Sequence, residues 1–417
     1  MAREYKDSGI EWIGRIPKEW KVVPFKSCFA TGKGLSFTKA DLVPEGIAVV
    51  SYGQIHSKNN TGTRLDDFLL RYIPVSLTEN GDNSKMCKGD FIFADTSEDL
   101  DGCGNCVYVD KDIDLYAGYH SITASPRIQK ANKFFAYYFQ TPCWRSQVRS
   151  RVTGIKVYSI SQSIINQTSI IVPSFEEQQR IAEYLDEKCG EIDSLISLQE
   201  KMITQLTDYK QSVITEAVTK GLDPNAQLVP SGIDWIGDVP KEWIITRIKF
   251  YGTIRSGEGI SIEELKDYGT YPVWGGNGLM GYTEKYNEYK TSIVIGRVGA
   301  LCGNVRLLTS PTFVSDNALI LRLSNKVNSK FMLWMMKGAD LNRLNTSNAQ
   351  PLITGSKVKN VVFALPKIDE QCAIADYLDN KSGEIDALIA LKQQKIETLK
   401  DYKKSLIYEA VTGKLEI

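Results

Sequence analysis

The chain has 417 residues, 42% hydrophobic and 24% charged, which suits a folded protein but is too long for one compact core. Its 50 basic and 50 acidic residues cancel, and this balance taken alone argues against a nucleic-acid partner. There is no apolar leader after Met1 and no apolar run of transmembrane length, so we expect a cytoplasmic protein that does not enter a membrane.

The first globular segment is predicted at residues 1–175. Runs rich in β-branched and aromatic residues at 47–55 and 90–95 lie between turn residues and predict strands. An aromatic-rich stretch at 133–144 predicts a helix, and 169–173 predicts a final strand. The pattern indicates an α+β domain with a mixed sheet.

A helical block follows at 176–222, where apolar residues keep a 3-4 spacing typical of a coiled coil. The predicted seam consists of Leu185, Cys189, Ile192, Ile196, Gln199, Ile203, Leu206, Lys210, Val213 and Ala217. Gly190 is expected to separate a short helix from a long one. The long helix needs a partner, because alone it would expose its apolar seam.

The second globular segment is predicted at 223–368. Strands are expected at 291–299 and 318–323, a helix at 330–341, and a final strand at 361–366. A second helical block completes the chain at 369–417, with Gly383 at the position of Gly190. Its seam repeats the first register at Leu378, Ser382, Ile385, Ile389, Lys392, Ile396, Leu399, Lys403, Leu406 and Ala410.

Three segments of the chain occur twice, while the stretches between them are barely alike. Ten of thirteen positions are identical between the openings of the two halves, and fourteen of twenty-one between the starts of the helical blocks. The repeats pair 8–20 with 231–243, 176–196 with 369–389, and 206–219 with 399–412. We therefore predict two unlike globular domains joined by two long helices that pair as a coiled coil, rather than two unrelated surface helices. The intervening domain permits either orientation, and a pseudo-two-fold arrangement of the halves would make the helices antiparallel.

The charges are unevenly distributed along the chain. No acidic residue occurs from 115 to 175, where the basic residues are Arg127, Lys130, Lys133, Arg145, Arg149, Arg151 and Lys156. From 317 to 368 the only acid is Asp340, against Arg322, Lys326, Lys330, Lys337, Arg343, Lys357, Lys359 and Lys367. Two basic windows at matching places in a duplicated chain favour a nucleic-acid phosphate backbone as partner over two solvated basic faces, despite the zero net charge.

Enzyme motifs are missing from the sequence. There is no phosphate-binding or dinucleotide-binding glycine motif and no Asn-Pro-Pro-aromatic tetrapeptide of an amino-methyltransferase. His56 and His120 lack a nucleophile pattern, and the Cys103-x-x-Cys106 pair lacks the further ligands that zinc requires. The eight scattered cysteines are expected to be reduced. We predict a binding protein without a catalytic residue, cofactor or metal.

The repeated motifs resemble the specificity (S) subunit of Type I restriction-modification systems. The resemblance rests on SGI-[ED]-WIG-x-[IV]-PKEW, on IA-x-YLD-x-K-x-GEID-x-LI and on L-x-DYK-x-S-x-I-x-EAVT, each present twice. It implies two target recognition domains that each read half of a split double-stranded DNA target. It also implies an antiparallel coiled coil that sets the spacer and docks two methyltransferase (M) subunits, with restriction (R) subunits added for cleavage in host defence. One heptad of helix corresponds to about 3 bp of spacer.

The residues that contact DNA are expected in loops of the unlike segments, because arginine suits guanine or phosphate and the side-chain amides suit adenine. In the first half the candidates are Arg145, Arg149, Arg151, Lys156 and Tyr158, with Gln54 and His56 weaker. In the second half they are Arg343, Asn345, Asn348 and Gln350, with Asn277, Tyr282 and Arg297 weaker.

Two other functions stay open from the residues alone. The duplicated domains suit a protein-interaction scaffold without direct base readout, which would bind no DNA even with its partners present. A nuclease or methyltransferase with an unfamiliar site is the enzyme alternative, against which the missing motifs argue.

Overall fold

The computed structural model describes residues 3–79, 81–127, 133–299, 301–345 and 351–417. The chain divides into two compact units: unit 1 combines Met1–Leu198 with Lys395–Ile417, and unit 2 is Gln199–Gln394. Each unit contains one unlike globular segment, part of the first helical block and part of the second.

Unit 1 is built from short strands between frequent turns. The strands are β1 (Tyr5–Asp7), β2 (Arg15–Pro17), β3 (Lys21–Pro24), β4 (Phe29–Lys33), β5 (Ile47–Val50), β6 (Arg71–Ile73), β7 (Lys85–Met86), β8 (Phe91–Ala94), β9 (Thr96–Ser97), β10 (Cys106–Tyr108), β11 (Leu115–Ala117), β12 (Ser121–Pro126), β13 (Tyr158–Ser159) and β14 (Ser169–Val172). The helices are α1 (Phe25–Cys28), α2 (Tyr52–Ile55), α3 (Lys133–Tyr138), α4 (Pro142–Arg149), α5 (Gln162–Asn166) and the start of α6 (Phe175–Lys220).

Most of the predicted elements of unit 1 are confirmed. Strands lie within 90–95 and 169–173, and the aromatic stretch at 133–144 is helical, divided between α3 and α4. The prediction of a strand over all of 47–55 is wrong beyond Val50. There the side chain of Gln54 accepts a hydrogen bond from the Ser51 backbone N–H at 3.2 Å, which starts α2 instead.

Unit 2 repeats this architecture with fewer described elements. The strands are β15 (Leu228–Pro230), β16 (Asp238–Pro240), β17 (Ile244–Arg247), β18 (Gly252–Ser256), β19 (Tyr271–Trp274), β20 (Leu279–Thr283), β21 (Ser292–Gly296), β22 (Val305–Leu308), β23 (Phe313–Val314), β24 (Ala318–Leu323) and β25 (Val362–Leu365). The helices are α7 (Ser329–Gly338), α8 (Gly355–Lys359) and the start of α9 (Ile368–Val411), beside the end of α6. The strands predicted within 291–299, 318–323 and 361–366 are confirmed.

The two units share one sheet topology although their sequences differ. The main sheet has the antiparallel order β10-β8-β12-β4 in unit 1, and its counterpart in unit 2 is β22-β21-β24-β18. In the second sheet, β5 runs parallel to β11, as β19 does to β23. The predicted α+β class is therefore confirmed for both globular segments.

The cores that support these sheets differ in chemistry. Unit 1 packs aromatic rings, with Phe25 stacked on Phe29 at 4.8 Å and Phe139 beside Trp144 at 4.7 Å between ring centroids. The corresponding core of unit 2 is richer in methionine, including Met332, Met335 and Met336. Different residues of suitable volume thus fill the same architecture, as expected when pattern rather than identity sets the fold.

The long helices follow the predicted seam. Every seam residue of α6 and α9 is buried or half-buried, and the intervening polar positions are mostly exposed. The expected helix breaks at Gly190 and Gly383 are wrong, since α6 and α9 continue through both glycines. A glycine costs only about 1 kcal/mol in a helix, less than the packing of the neighbouring seam contributes. No helix of the described chain is both long and apolar enough to cross a membrane.

In each unit the two long helices run antiparallel. In unit 1 Lys403 Nζ lies 2.7 Å from Asp193 Oδ1, and in unit 2 Lys210 Nζ lies 2.6 Å from Asp386 Oδ2. Asp386 and Lys403 are the repeat equivalents of Asp193 and Lys210. One contact of the coiled-coil register is therefore made once in each unit.

Two further repeated contacts fasten the helices to the globular segments. The Trp20 indole donates to Glu177 Oε2 at 2.7 Å, and the Trp243 indole donates to Glu370 Oε2 at 3.1 Å. These pairs join the repeated opening motif of each half to the repeated start of its helix.

A second polar contact involves the first third of each helix. Asp186 accepts a hydrogen bond from Tyr137 Oη at 2.6 Å and an ion pair from Lys133 at 2.6 Å. Asp379 accepts from the Trp334 indole at 2.8 Å and from Lys330 at 2.8 Å. Burial alone would raise the pKa of Asp379, but these two donors hold that pKa below its ordinary value. The repeated sequences therefore form a common frame, which we define as the long helices and the repeated opening motifs that bind them.

Candidate nucleic-acid interface

Matched backbone contacts join the two central strands of the main sheet at one end of those strands in each unit. We call this end of the sheet the central edge. In unit 1 the backbone N–H of Asp95 donates to the carbonyl of His120 at 3.2 Å, and in unit 2 that of Arg297 donates to the carbonyl of Asn317 at 3.1 Å. The same backbone hydrogen bond thus joins residues with different side chains in the two units.

The loop before the last short helix crosses this edge in both units. Ile160 N–H donates to the Asp95 carbonyl at 2.7 Å, and Ile353 N–H donates to the Arg297 carbonyl at 2.8 Å. The loop that the sequence singled out in each half therefore reaches the central edge, at structurally matched positions.

Two of the arginines predicted to contact DNA are engaged within unit 1. Arg145 Nε donates to the Phe139 carbonyl at 3.1 Å and Nη2 to Gln140 Oε1 at 2.5 Å, while burial lowers the pKa of its guanidinium. Arg149 Nη2 donates to the Asp101 carbonyl at 2.7 Å, and Nη1 lies 3.3 Å from its carboxylate. Both arginines thus brace the loop that carries Asp101, whereas Arg151 is exposed and donates through Nη1 to the Gln147 carbonyl at 2.7 Å.

Lys156 and Tyr158 lie on a hairpin spanning 153–159. Its base is formed by the bridge of Thr153 with Ser159 and by the pairing of β13 with β9. Lys156 is exposed and Tyr158 half-buried, and Ile155 at the tip is 96% exposed. An exposed lysine on this hairpin is suited to a phosphate contact.

The weaker candidates Gln54 and His56 are engaged inside unit 1. The Gln54 side chain caps α2, as described above. His56 Nε2 lies 2.8 Å from the Thr96 carbonyl, and Nδ1 lies 3.1 Å from Asn105 Nδ2. Because a carbonyl only accepts and an amide nitrogen only donates, these partners fix the neutral Nε2–H tautomer of His56.

The candidates of unit 2 occupy different surroundings. Arg297 is half-buried at the central edge, where Nη1 donates to Ser256 Oγ at 3.2 Å. The Arg343 guanidinium lies 5.0 Å from the ring of Trp235 in the repeated opening motif, and burial lowers its pKa. Asn345 Oδ1 accepts from the Leu352 N–H at 3.1 Å.

The remaining candidates of unit 2 are more exposed or lie outside the described residues. Asn277 is exposed, and its carbonyl accepts from Arg306 Nη2 at 3.2 Å. Tyr282 is half-buried in β20. Asn348 and Gln350 lie outside the described residues. The structure therefore places Arg297 at the edge matched between the units.

Several charges of the basic windows are used to hold the protein together. Arg322 forms two hydrogen bonds with the buried carboxylate of Glu288, at 2.8 and 3.0 Å. Lys133 and Lys330 bind the frame at Asp186 and Asp379. The windows therefore overstate the charge available to a phosphate backbone.

A cleft beside the central edge of unit 1 was missed by the sequence reasoning. Its volume is about 840 Å³, and its lining includes Lys33, Phe37, Asp95, Tyr119, His120 and Gln162. His120 has a left-handed backbone with φ 53°, its side chain is 59% exposed, and its Nδ1 lies 3.3 Å from Asp95 Oδ1. No local pattern joins these two residues, because the sheet brings them together.

The Cys103-x-x-Cys106 pair is buried in the main core of unit 1. Gln140 Nε2 donates to Cys106 Sγ at 3.4 Å, and burial raises the pKa of the Cys106 thiol to about 12. Within the described ranges, no three His, Cys, Asp or Glu side chains are grouped as metal ligands.

Comparison with known proteins identifies relatives of both halves. A family model described as the Type I restriction modification DNA specificity domain matches residues 17–207 and 240–401. The StySPI specificity subunit of Salmonella potsdam is 22% identical over 96% of this chain and 90% of that protein. The EcoprrI specificity subunit of Escherichia coli is 31% identical over 30% of this chain and 32% of that protein.

Solved structures share the fold. A chain from a structure on complex assembly and conformational transition of the type I R-M system has a TM-score of 0.73 and 17% identity, covering 96% of this chain and 99% of that one. The HsdS subunit from Thermoanaerobacter tengcongensis has a TM-score of 0.53 and 16% identity, covering 96% and 98%.

Proposed function

Because the chain belongs to the family of Type I restriction-modification DNA specificity subunits, whose members are non-catalytic and recognise target DNA, we propose that it reads a bipartite target. Each unit contacts one half-site, and a spacer that no residue reads separates the two. The observation that carries this proposal is the central edge, where one backbone arrangement presents different side chains in the two units.

The spacer is set by the frame. The α6 helix has 46 residues and α9 has 44, and each begins in one unit and ends in the other. A helix of 46 residues extends about 69 Å at 1.5 Å per residue, which is on the scale of a DNA target rather than of a single half-site. The geometry of recognition thus depends on sequences that the two halves share.

The M subunits dock on an exposed apolar surface that occurs once per unit, which we call the docking stripe. Its members are Leu195, Leu198 and Tyr402 in unit 1 and Leu388, Leu391 and Tyr209 in unit 2. These residues occupy helix positions beside the buried seam, and in antiparallel helices such positions lie on the same side. One stripe per unit accounts for two M subunits, to which R subunits are added.

Coexpression with an M subunit tests both parts of this function. We expect a complex with two M subunits that methylates adenines at one split DNA sequence. The double substitution Leu388→Glu and Leu391→Glu should remove one M subunit, because it places two charges in an apolar contact. Native mass spectrometry and sequencing of modified bases measure the two outcomes.

Matched controls place the same charges on the outer face of the same helix. Ala387→Glu with Ala390→Glu should leave both M subunits bound, since these exposed positions lie off the stripe. A complex that retains both M subunits but selects no DNA sequence would contradict DNA readout and favour an interaction scaffold.

A further inference from the structure

We propose that the side chains at the central edge are the base-reading positions of the two units, with opposite hydrogen-bonding character. Asp95, oriented by His120, accepts from an exocyclic amino group of cytosine or adenine. Arg297, beside Asn317, donates to the acceptors of guanine. This inference deepens the proposed function and depends on it, because it assumes that each unit binds one half-site.

The equivalence of the positions is the first support. Asp95 and Arg297 each donate a backbone hydrogen bond to the residue before the neighbouring strand and accept one from the crossing loop. A substitution at such a position changes the exposed functional group without changing the backbone that presents it. A protein that tells two half-sites apart on one fold needs positions of this kind.

In unit 1 the pair of Asp95 and His120 presents a hydrogen-bond acceptor. His120 Nδ1 lies 3.3 Å from Asp95 Oδ1 and donates to it, and the Asp95 side chain is 33% exposed. A carboxylate is an acceptor only, and the amino groups of cytosine and adenine are donors on the major-groove edge. The left-handed φ of His120 is rare outside glycine and costs free energy, so the fold holds this imidazole in place against strain.

The surroundings of Asp95 suit a nucleic acid. Phe37 and Tyr119, whose rings meet edge to face at 5.1 Å, line the adjoining cleft together with the exposed Lys33. Aromatic faces contact bases or sugars, and a lysine contacts phosphate. Arg145 and Arg149 are less suited to base contact, because Arg145 donates to the Phe139 carbonyl and to Gln140, while Arg149 donates to the Asp101 carbonyl and pairs with the Asp101 carboxylate.

In unit 2 the matched side chain is a donor. Arg297 is half-buried, and Ser256 holds its guanidinium through Nη1. Guanine presents two acceptors, O6 and N7, to an arginine fork. Asn317, the counterpart of His120, is exposed beside it.

The test uses the complete complex with M subunits and sequences its methylated sites. Asp95→Asn keeps the side-chain volume but replaces one acceptor oxygen by a donor. We expect methylation of the original target to fall about tenfold to a hundredfold, with altered preference at one base pair of one half-site. Arg297→Gln should relax a guanine in the other half-site by a similar factor.

Exposed residues of the same type are the controls. Asp112→Asn in unit 1 and Arg247→Gln in unit 2 remove the same charges from exposed positions, and should leave base preference unchanged. His120→Gly provides a second readout, since it relieves the left-handed strain. It should therefore keep or raise the thermal unfolding temperature while weakening selectivity in the first half-site alone.

The outcomes separate this inference from the proposed function. A wild-type complex that selects no sequence overturns both. A selective wild type whose Asp95 and Arg297 variants behave like the controls, or lose both half-sites equally, overturns the base-reading positions alone.

Discussion

Units 1 and 2 agree where the globular segments meet the long helices and differ where the sheet meets solvent. The contacts of Trp20 with Glu177 and of Tyr137 with Asp186 have direct counterparts in unit 2. At the central edge, by contrast, an acidic residue of unit 1 corresponds to Arg297. The comparison teaches that repeated sequence marks the shared frame, whereas specificity lies in positions with a shared backbone and unlike side chains.

The frame contacts are equivalent in kind but not in burial. Removing the contact of unit 1 should therefore lower the free energy of unfolding more than removing that of unit 2. Glu177 is 10% exposed in its side chain and binds both Trp20 and Arg3, whereas Glu370 is half-buried and binds Trp243. We expect Glu177→Ala to lower the free energy of unfolding by about 3 kcal/mol and Glu370→Ala by about 1 kcal/mol. Urea unfolding measures both, and equal losses would contradict the inequality.

Alkaline pH should weaken unit 1 through its buried thiols. Burial raises the pKa of Cys143 and of Cys189 to about 11, from an ordinary value of 9.0. A raised folded pKa favours the protonated thiol, so this stabilisation is complete below about pH 9 and is lost as pH rises through about 11. In unit 2 burial raises the pKa of Cys302.

Urea unfolding at about pH 8 and about pH 10.5 checks this dependence. The free energy of unfolding should fall less with pH in a Cys143→Ala, Cys189→Ala protein than in the wild type. Cys87→Ala, which changes an exposed thiol, should leave the fall unchanged. A fall of the same size in all three proteins would show that other groups are responsible.

A smaller effect is expected from exchanging one seam residue between the helices. Ser382 stands where the first copy has Cys189, and its buried hydroxyl has no partner in the described part of the chain. Ser382→Cys should raise the free energy of unfolding by about 1 kcal/mol, because it removes an unsatisfied polar group. Cys189→Ser should lower it by a similar amount. If thermal unfolding shows both changes to be destabilising, the two seam positions are not equivalent.

The frame was predictable from the sequence because its signals are periodic. The 3-4 spacing identified the buried seam, and the repeats indicated which segments of the two halves make equivalent contacts. The breaks expected at Gly190 and Gly383 were wrong, since helix propensity alone does not count the seam packing on either side of each glycine.

The candidate interface was less predictable, because its contacts join distant parts of the chain. Arg145 and Arg149 appear in the sequence as unopposed charges, yet the fold brings Asp101 to both. Lys133 likewise pairs with Asp186 of the long helix α6. Asp95 and His120 meet only through the strand order, so neither residue carried a local signal.

Exchange of the unlike globular segments tests the central claim most directly. In this chimera residues 25–168 replace 248–361, so that both units contain the globular segment of unit 1 within an unchanged frame. Sequencing of modified bases in the complex with M subunits should reveal the first half-site in both parts of the target, separated by the original spacer length. Persistence of the second half-site, or a changed spacer with unchanged half-sites, would contradict the claim that the frame sets the spacer and the globular segments set the half-sites.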